Sequence, residues 1–361
     1  MNSTVKTLRL AVISTPRSGN CWLRHMLAET LELEPIIVHL PSEVLWDNVP
    51  ERAILQLHWL PDESFRAHLA KYEFRVVVLA RHPLDVLISI LAFSQHDDST
   101  LRWLDGAGGS ERSLAGVTPL SEPFLDYATG SRAKQLLGVS SQWWNLPGVC
   151  RVHYEDLMLD SAGRLAALIA ELDVSPRKSP VEVAARSTPE DMRAQNVHML
   201  FHVWQAQGSL WRRFLTEKIA RQVYQAHAAD FSTLSYACDP NPLLFAADAQ
   251  TDWNRYDAAA SKKHLHGVKR TIAASTQHNH LEFLRQQTEL NQQRGELARL
   301  ACLLTEQEAQ HAEFRERFAG LGPWSLGTAR SLQRGARYLP RTIAALKSTV
   351  LLARRILRMN Q

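Results

Sequence analysis

The chain has 361 residues, 45% hydrophobic and 22% charged, with a formal net charge of +4. That composition excludes a disordered chain and is enough for one large α/β domain plus an appendage. No run approaches 18 apolar residues, which argues against a transmembrane helix, and the apolar stretch at residues 10–13 is too short for a secretory leader, so a cytoplasmic protein is expected.

In chain order, residues 8–14 form an apolar run that stops at Pro16, as a buried strand does. Leu23, Met26, Leu27, Thr30 and Leu31 fall at helical spacing and predict a helix over 20–33. Residues 53–57 read as a second strand, 64–71 as a helix, and 75–80 (Arg-Val-Val-Val-Leu-Ala) as the clearest buried strand. Pro83 then stands where a helix begins, the position proline tolerates best. Residues 94–125 are rich in Ser, Asp, Gly and Pro and predict a mobile loop region that shapes an acceptor pocket. A strand at 149–153 and a helix at 161–172 follow. Strand–helix alternation over residues 1–240 predicts an α/β domain with a parallel sheet covered on both faces.

Residues 239–262, with Pro240, Pro242 and Asp257, open a predicted linker taken over 241–275. Phe283, Leu290, Leu297 and Leu304 fall seven apart within 276–320, so that stretch predicts a helix, either a coiled coil able to join two copies of the chain or a single amphipathic helix. Residues 321–361 hold eight basic side chains and no acid, whereas the other 320 carry 33 basic and 37 acidic groups. In this tail Ile343, Leu346, Val350, Ala353 and Leu357 form an apolar stripe. A basic amphipathic helix of this kind predicts docking on an anionic surface, here the inner face of a membrane rather than nucleic acid; packing onto its own domain is the plainer alternative. Cys21, Cys150, Cys238 and Cys302 are far apart with no C-x-x-C pair, and neither a metal site nor a disulfide framework is expected.

Two loops carry the chemistry. Thr15-Pro16-Arg17-Ser18-Gly19-Asn20-Cys21-Trp22 joins the first strand to the first helix. A tight turn there aims backbone N–H groups and a helix N-terminus at one point, which suits a phosphate; Arg17 adds a cation and Gly19 lets the backbone approach closely. A capping turn with Ser18 as cap is the plainer alternative. The loop is not a Walker A sequence, because G-x-x-x-x-G-K-[ST] is absent. Arg81-His82-Pro83-Leu84-Asp85-Val86-Leu87-Ile88-Ser89 follows the strongest strand. Arg81 ends that strand, where open α/β sheets bind ligands, and Ser89 lies two helical turns on, so both can reach one anion.

Together P-[KR]-S-G-x-x-W and R-x-P-x-D-x-x-x-S resemble the cytosolic and Golgi sulfotransferase family, over roughly residues 8–236. The resemblance implies a P-loop-like fold and 3′-phosphoadenosine 5′-phosphosulfate (PAPS) as co-substrate, with no metal. It implies that Arg17, Ser18, Gly19, Asn20, Cys21 and Trp22 hold the 5′ side, with Trp22 near the adenine, and that Arg81 and Ser89 hold the 3′-phosphate. Tyr154, in a Y-E-D-L segment, is expected at the nucleotide. His58, which ends the strand before the Arg81 strand, stands where such enzymes keep their catalytic base; His39, followed by Leu-Pro, is a competitor by letters alone. The family's Lys two residues before that His is Gln56, which leaves Arg17 as the main stabiliser of the leaving group. Gly208–Thr216 is similar to the family's G-x-W-K-x-x-F-T segment, but residues 203–207 lack the basic pair that precedes it, so Arg212 or Arg213 is expected to substitute.

The expected activity is therefore sulfuryl transfer from PAPS to a hydroxyl or amine, with a glycan or glycolipid as leading acceptor and His58 and Arg17 as catalytic residues. Two alternatives stand beside it. One is an ATP-dependent kinase on a similar fold, which competition between ATP and 3′-phosphoadenosine 5′-phosphate (PAP) would reveal. The other is a non-catalytic nucleotide-binding scaffold.

Overall fold

Five short strands, β1 (Leu8–Ser14), β2 (Glu34–Ile37), β3 (Arg52–Leu57), β4 (Phe74–Ala80) and β5 (Cys150–His153), form one sheet in the order β2-β3-β1-β4-β5. Every pair is parallel. The structure is a computed structural model and describes residues 7–95, 98–107, 109–188, 191–192 and 208–319. The predicted basic tail and residues 203–207 lie outside them. Two compact units divide the chain at residue 271, and the sheet belongs to the first.

Alternation along the strands feeds two cores. Leu10, Val12, Ile54, Val77 and Leu79 pack on one face with α1 (Asn20–Leu31), which supplies Leu23, Met26, Leu27 and Leu31. Ala11, Ile13, Leu55, Leu57, Val78 and Ala80 pack on the other with α2 (Glu63–Lys71), α3 (Pro83–Ser94), α4 (Glu122–Thr129) and α5 (Ser131–Trp144). Burial on both faces explains why the central strands read as unbroken apolar runs. The predicted strands and helices of the first 172 residues are present within one or two residues of their expected ends. One strand and the helices α4, α5 and Tyr154–Leu159 were missed; β2 has the sequence Glu-Pro-Ile-Ile and is exposed at the sheet edge, so neither an apolar run nor an alternation marks it.

Residues 94–125 differ from the expected mobile loop. They form 3₁₀ turns at Asp98–Gly106 and Glu111–Leu114, and Trp103, Leu104, Leu114 and Phe124 are buried. The expected linker over 241–275 also differs, because a helix begins at Ala246 and continues to Ala319. Ala249, Trp253, Tyr256 and Ala260 are buried along its start. Trp253 and Tyr256 lie 5.5 and 5.1 Å from the Phe214 ring. Helical spacing of these four residues outweighs the prolines before them, which lie outside the helix. The expected helix over 276–320 falls within the same element through residue 319. Among the described residues, no helix is long and apolar enough to cross a membrane.

Candidate functional site

At the carboxyl edge of the sheet, register aligns Ile13 with Leu57, Ser14 with Leu79, and Ala80 with His153. The residues that follow, Thr15, His58, Arg81 and Tyr154, therefore emerge side by side from four strand ends. This is the edge at which open parallel sheets place ligands.

The first loop is tied down from the far side of the chain. Thr15 N–H donates to Ser140 Oγ at 2.7 Å, Thr15 Oγ1 donates to Leu136 O at 2.9 Å, and Ser140 Oγ donates to Leu79 O at 2.8 Å. Helix α5 thus holds the loop and the end of β4 together. Arg17 has φ 68° and Gly19 φ 94°, both left-handed. A Cβ on Gly19 would stand 2.5 Å from Tyr154 Cδ2, so both the backbone and the ring require glycine there. Gly19→Ala is expected to cost about 1–3 kcal/mol of stability, read by urea unfolding. Ser18 is fully buried, and its Oγ has no hydrogen-bond partner among the described residues.

The second loop closes on the first. Arg81, 6% exposed, donates through Nη1 to the Arg17 carbonyl at 3.1 Å, and its guanidinium lies 4.6 Å over the Tyr154 ring. Burial pushes the Tyr154 phenol above its ordinary range, against the opposing pull of Arg81. Arg17 Nε donates to Ser89 Oγ at 3.2 Å, and its guanidinium sits 4.3 Å over Phe93. Ser89 is the one residue of α3 that is not buried, so this helix opens to the site at that position. Trp22 donates through Nε1 to Ser187 O at 2.7 Å and meets Tyr154 edge-on at 6.2 Å. Cys21 is half-buried one residue into α1.

His58 stands on the opposite side of the first loop. Its Nδ1 lies 2.7 Å from the Ser14 carbonyl, which can only accept, so Nδ1 carries the proton. Nε2 is left as the basic atom, 3.4 Å from Asn20 Nδ2. His39 follows the edge strand β2 instead, with its N–H bonded to Glu43 Oε2 at 2.7 Å.

Several contributors were not foreseen. Gln56 Oε1 accepts from Arg24 Nε at 2.8 Å, which brings a guanidinium to the place where the resemblance expects a lysine. Burial lowers the pKa of Arg24, with Cys21 beside it acting in the other direction. Asp85 accepts from the backbone N–H of Ser209 at 2.7 Å and of Trp211 at 3.0 Å, so the aspartate of the second motif anchors the 208–211 turn. Glu155 accepts from His82 N at 3.0 Å and from Tyr236 Oη at 2.5 Å. Arg212 and Arg213, expected at the nucleotide, are instead paired with carboxylates, Asp239 at 3.2 Å and Asp252 at 3.1 Å. Both arginines follow Trp211, whose burial turns this short helix against the core and leaves its basic residues outside. No group of three or more potential metal ligands occurs among the described residues.

No protein-family model matches the chain, and no curated protein matches it. Among solved structures, it is similar to mouse sulfotransferase SULT7A1 complexed with PAP, at 14% identity and a TM-score of 0.46, over 64% of this chain and 90% of that one. It is also similar to retinol dehydratase in complex with androsterone and inactive cofactor PAP, at 15% identity and a TM-score of 0.39, over 64% of this chain and 82% of the other.

Proposed function

We propose that the chain is a sulfotransferase that moves a sulfuryl group from PAPS to an acceptor hydroxyl or amine, with a glycan or glycolipid as the acceptor class. The observation that carries this reading is the convergence of the Arg17–Gly19 turn, Arg81, Tyr154 and a histidine held by the Ser14 carbonyl at one carboxyl edge. Three positively charged groups, Arg17, Arg24 and Arg81, attend that edge, which suits a donor with phosphates at both ends. Arg17 and the amides of Ser18–Asn20 take the 5′-phosphosulfate, and Arg81 with Ser89 takes the 3′-phosphate. In the transfer, the acceptor oxygen attacks sulfur and a new O–S bond forms. The bond from sulfur to the bridging oxygen breaks, and its electron pair leaves on the 5′-phosphate. The acceptor proton passes to His58 Nε2. Arg17 and the loop amides stabilise the charge gathering on the leaving phosphate. Arg212 and Arg213, already neutralised by Asp239 and Asp252, have no part in this scheme. The test is a transfer screen with labelled PAPS against glycans, glycolipids and phenols, run beside PAP calorimetry. Absence of both PAP binding and transfer would overturn the reading.

The basic segment 321–361 supports action at an anionic membrane surface. Each basic side chain near such a surface contributes about 1 kcal/mol, screened over about 8 Å at physiological salt. Full-length protein is expected to sediment with anionic but not neutral liposomes, less so as salt rises. Changing Lys347, Arg354, Arg355 and Arg358 to Gln should abolish most of that sedimentation and leave PAP affinity intact.

A further inference from the structure

One side chain of the 98–115 segment reaches both halves of the site. Trp103 meets the His58 imidazole edge-on at 6.4 Å between centroids and stacks on Phe93 at 5.8 Å and 18°. Phe93 in turn carries the Arg17 guanidinium at 4.3 Å. The rings of Phe93 and Trp103 therefore form a continuous wall from the cation to the base.

Trp103 is held in that place by a buried ion pair. Leu104 and Asp105, the two residues after it, both have left-handed backbones, with φ 50° and 52°. Non-glycine residues take that conformation only when surrounding structure imposes it. Arg132, 4% exposed, supplies the constraint: Nη2 donates to Trp103 O at 3.1 Å and Nη1 to Ala107 O at 2.6 Å. Nη2 also donates to Thr100 O at 3.4 Å, and the fully buried Glu111 accepts from Nε at 2.7 Å and from Nη2 at 3.0 Å, while Tyr127 Oη donates to Glu111 Oε1 at 3.1 Å. A buried charge pair is a poor source of stability, and fixing one conformation is its better-attested use.

We propose that Trp103, clamped by Glu111 and Arg132, is a positioning residue that holds the His58 imidazole against the Ser14 carbonyl, so that Nε2 alone is presented to the acceptor. This rests on the sulfotransferase reading, in which His58 is the base. Without the indole edge, the ring is free to turn about its Cβ–Cγ bond, lose the Ser14 contact and populate the other tautomer.

The test follows the tautomer rather than turnover. The ¹⁵N-imidazole signals of the full chain are recorded with and without PAP, and the His58 signal is assigned among 15 histidines by His58→Gln. Wild type is expected to show a single Nδ1–H tautomer. Trp103→Leu, which keeps apolar bulk, should give a mixture of both tautomers, and Trp103→Phe should restore the single form. The paired change Glu111→Leu with Arg132→Met removes the clamp without leaving a charge buried, and should also give a mixture. A single Nδ1–H tautomer in both Trp103→Leu and the paired variant would overturn the proposal, even where melting temperatures fall, because packing alone lowers stability without moving the tautomer. Failure of wild type to bind PAP would count against the sulfotransferase reading instead, and the nucleotide-free spectra would still decide the positioning.

Discussion

His58→Ala is expected to lower kcat by roughly 10²–10⁴, the usual worth of a general base, while calorimetric PAP affinity stays within about twofold. The separation follows from the geometry. His58 meets the Ser14 carbonyl at 2.7 Å and Asn20 Nδ2 at the longer distance of 3.4 Å. Losing these leaves the Thr15–Ser140 tether and the Arg81–Arg17 bond in place. His39→Ala, at the sheet edge, should change kcat by less than about threefold, since a residue outside the site leaves the barrier nearly unchanged. An unaltered kcat in His58→Ala, or loss of activity in His39→Ala, would assign the base elsewhere.

Arg81→Ala should weaken PAP binding by about 2–3 kcal/mol, the scale of a lost charged hydrogen-bond pair. Adenosine 5′-phosphosulfate lacks the 3′-phosphate and provides the control. Its loss should be smaller but not zero, about 1 kcal/mol, because Arg81 also donates to the Arg17 carbonyl and so supports the turn that holds the 5′ side. Equal losses for the two ligands in calorimetry would reduce Arg81 to a brace for the loop.

The parallel sheet was legible because buried strands must be apolar without interruption, as in Arg75–Ala80, and because the turns that follow them carry Pro, Gly and Arg at fixed places. The places of Thr15, His58 and Arg81 were legible for the same reason: each stands one residue past a strand. Long-range polar packing was not legible. Nothing local says that Ser140 closes on Thr15, that Gln56 draws in Arg24, or that Asp85 reaches two amides more than 120 residues away. The 98–115 segment hid its order because a buried Arg132–Glu111 pair, not an apolar stripe, organises it. The letters around Arg212 and Arg213 likewise do not show their pairing with Asp239 and Asp252, which lie 27 and 39 residues on.

The central place of β1 has a consequence for how the chain is made. β1 pairs only with β3 and β4, and its loop is anchored by Ser140, 125 residues later. During synthesis the first strand must therefore wait, unpaired, until β3 has been produced, and its loop stays unanchored until Ser140 emerges. Pairing of this span is slow because the loop-closure entropy comes before the contacts that reward it. Nothing shorter than about the first 154 residues contains Thr15, His58, Arg81 and Tyr154 together, so a ligand bound at that edge would not assist early collapse and would only trap the finished domain. A nascent chain arrested before Ser140 should therefore be protease-sensitive whether or not PAP is present, with protection appearing only once β5 and Tyr154 have emerged.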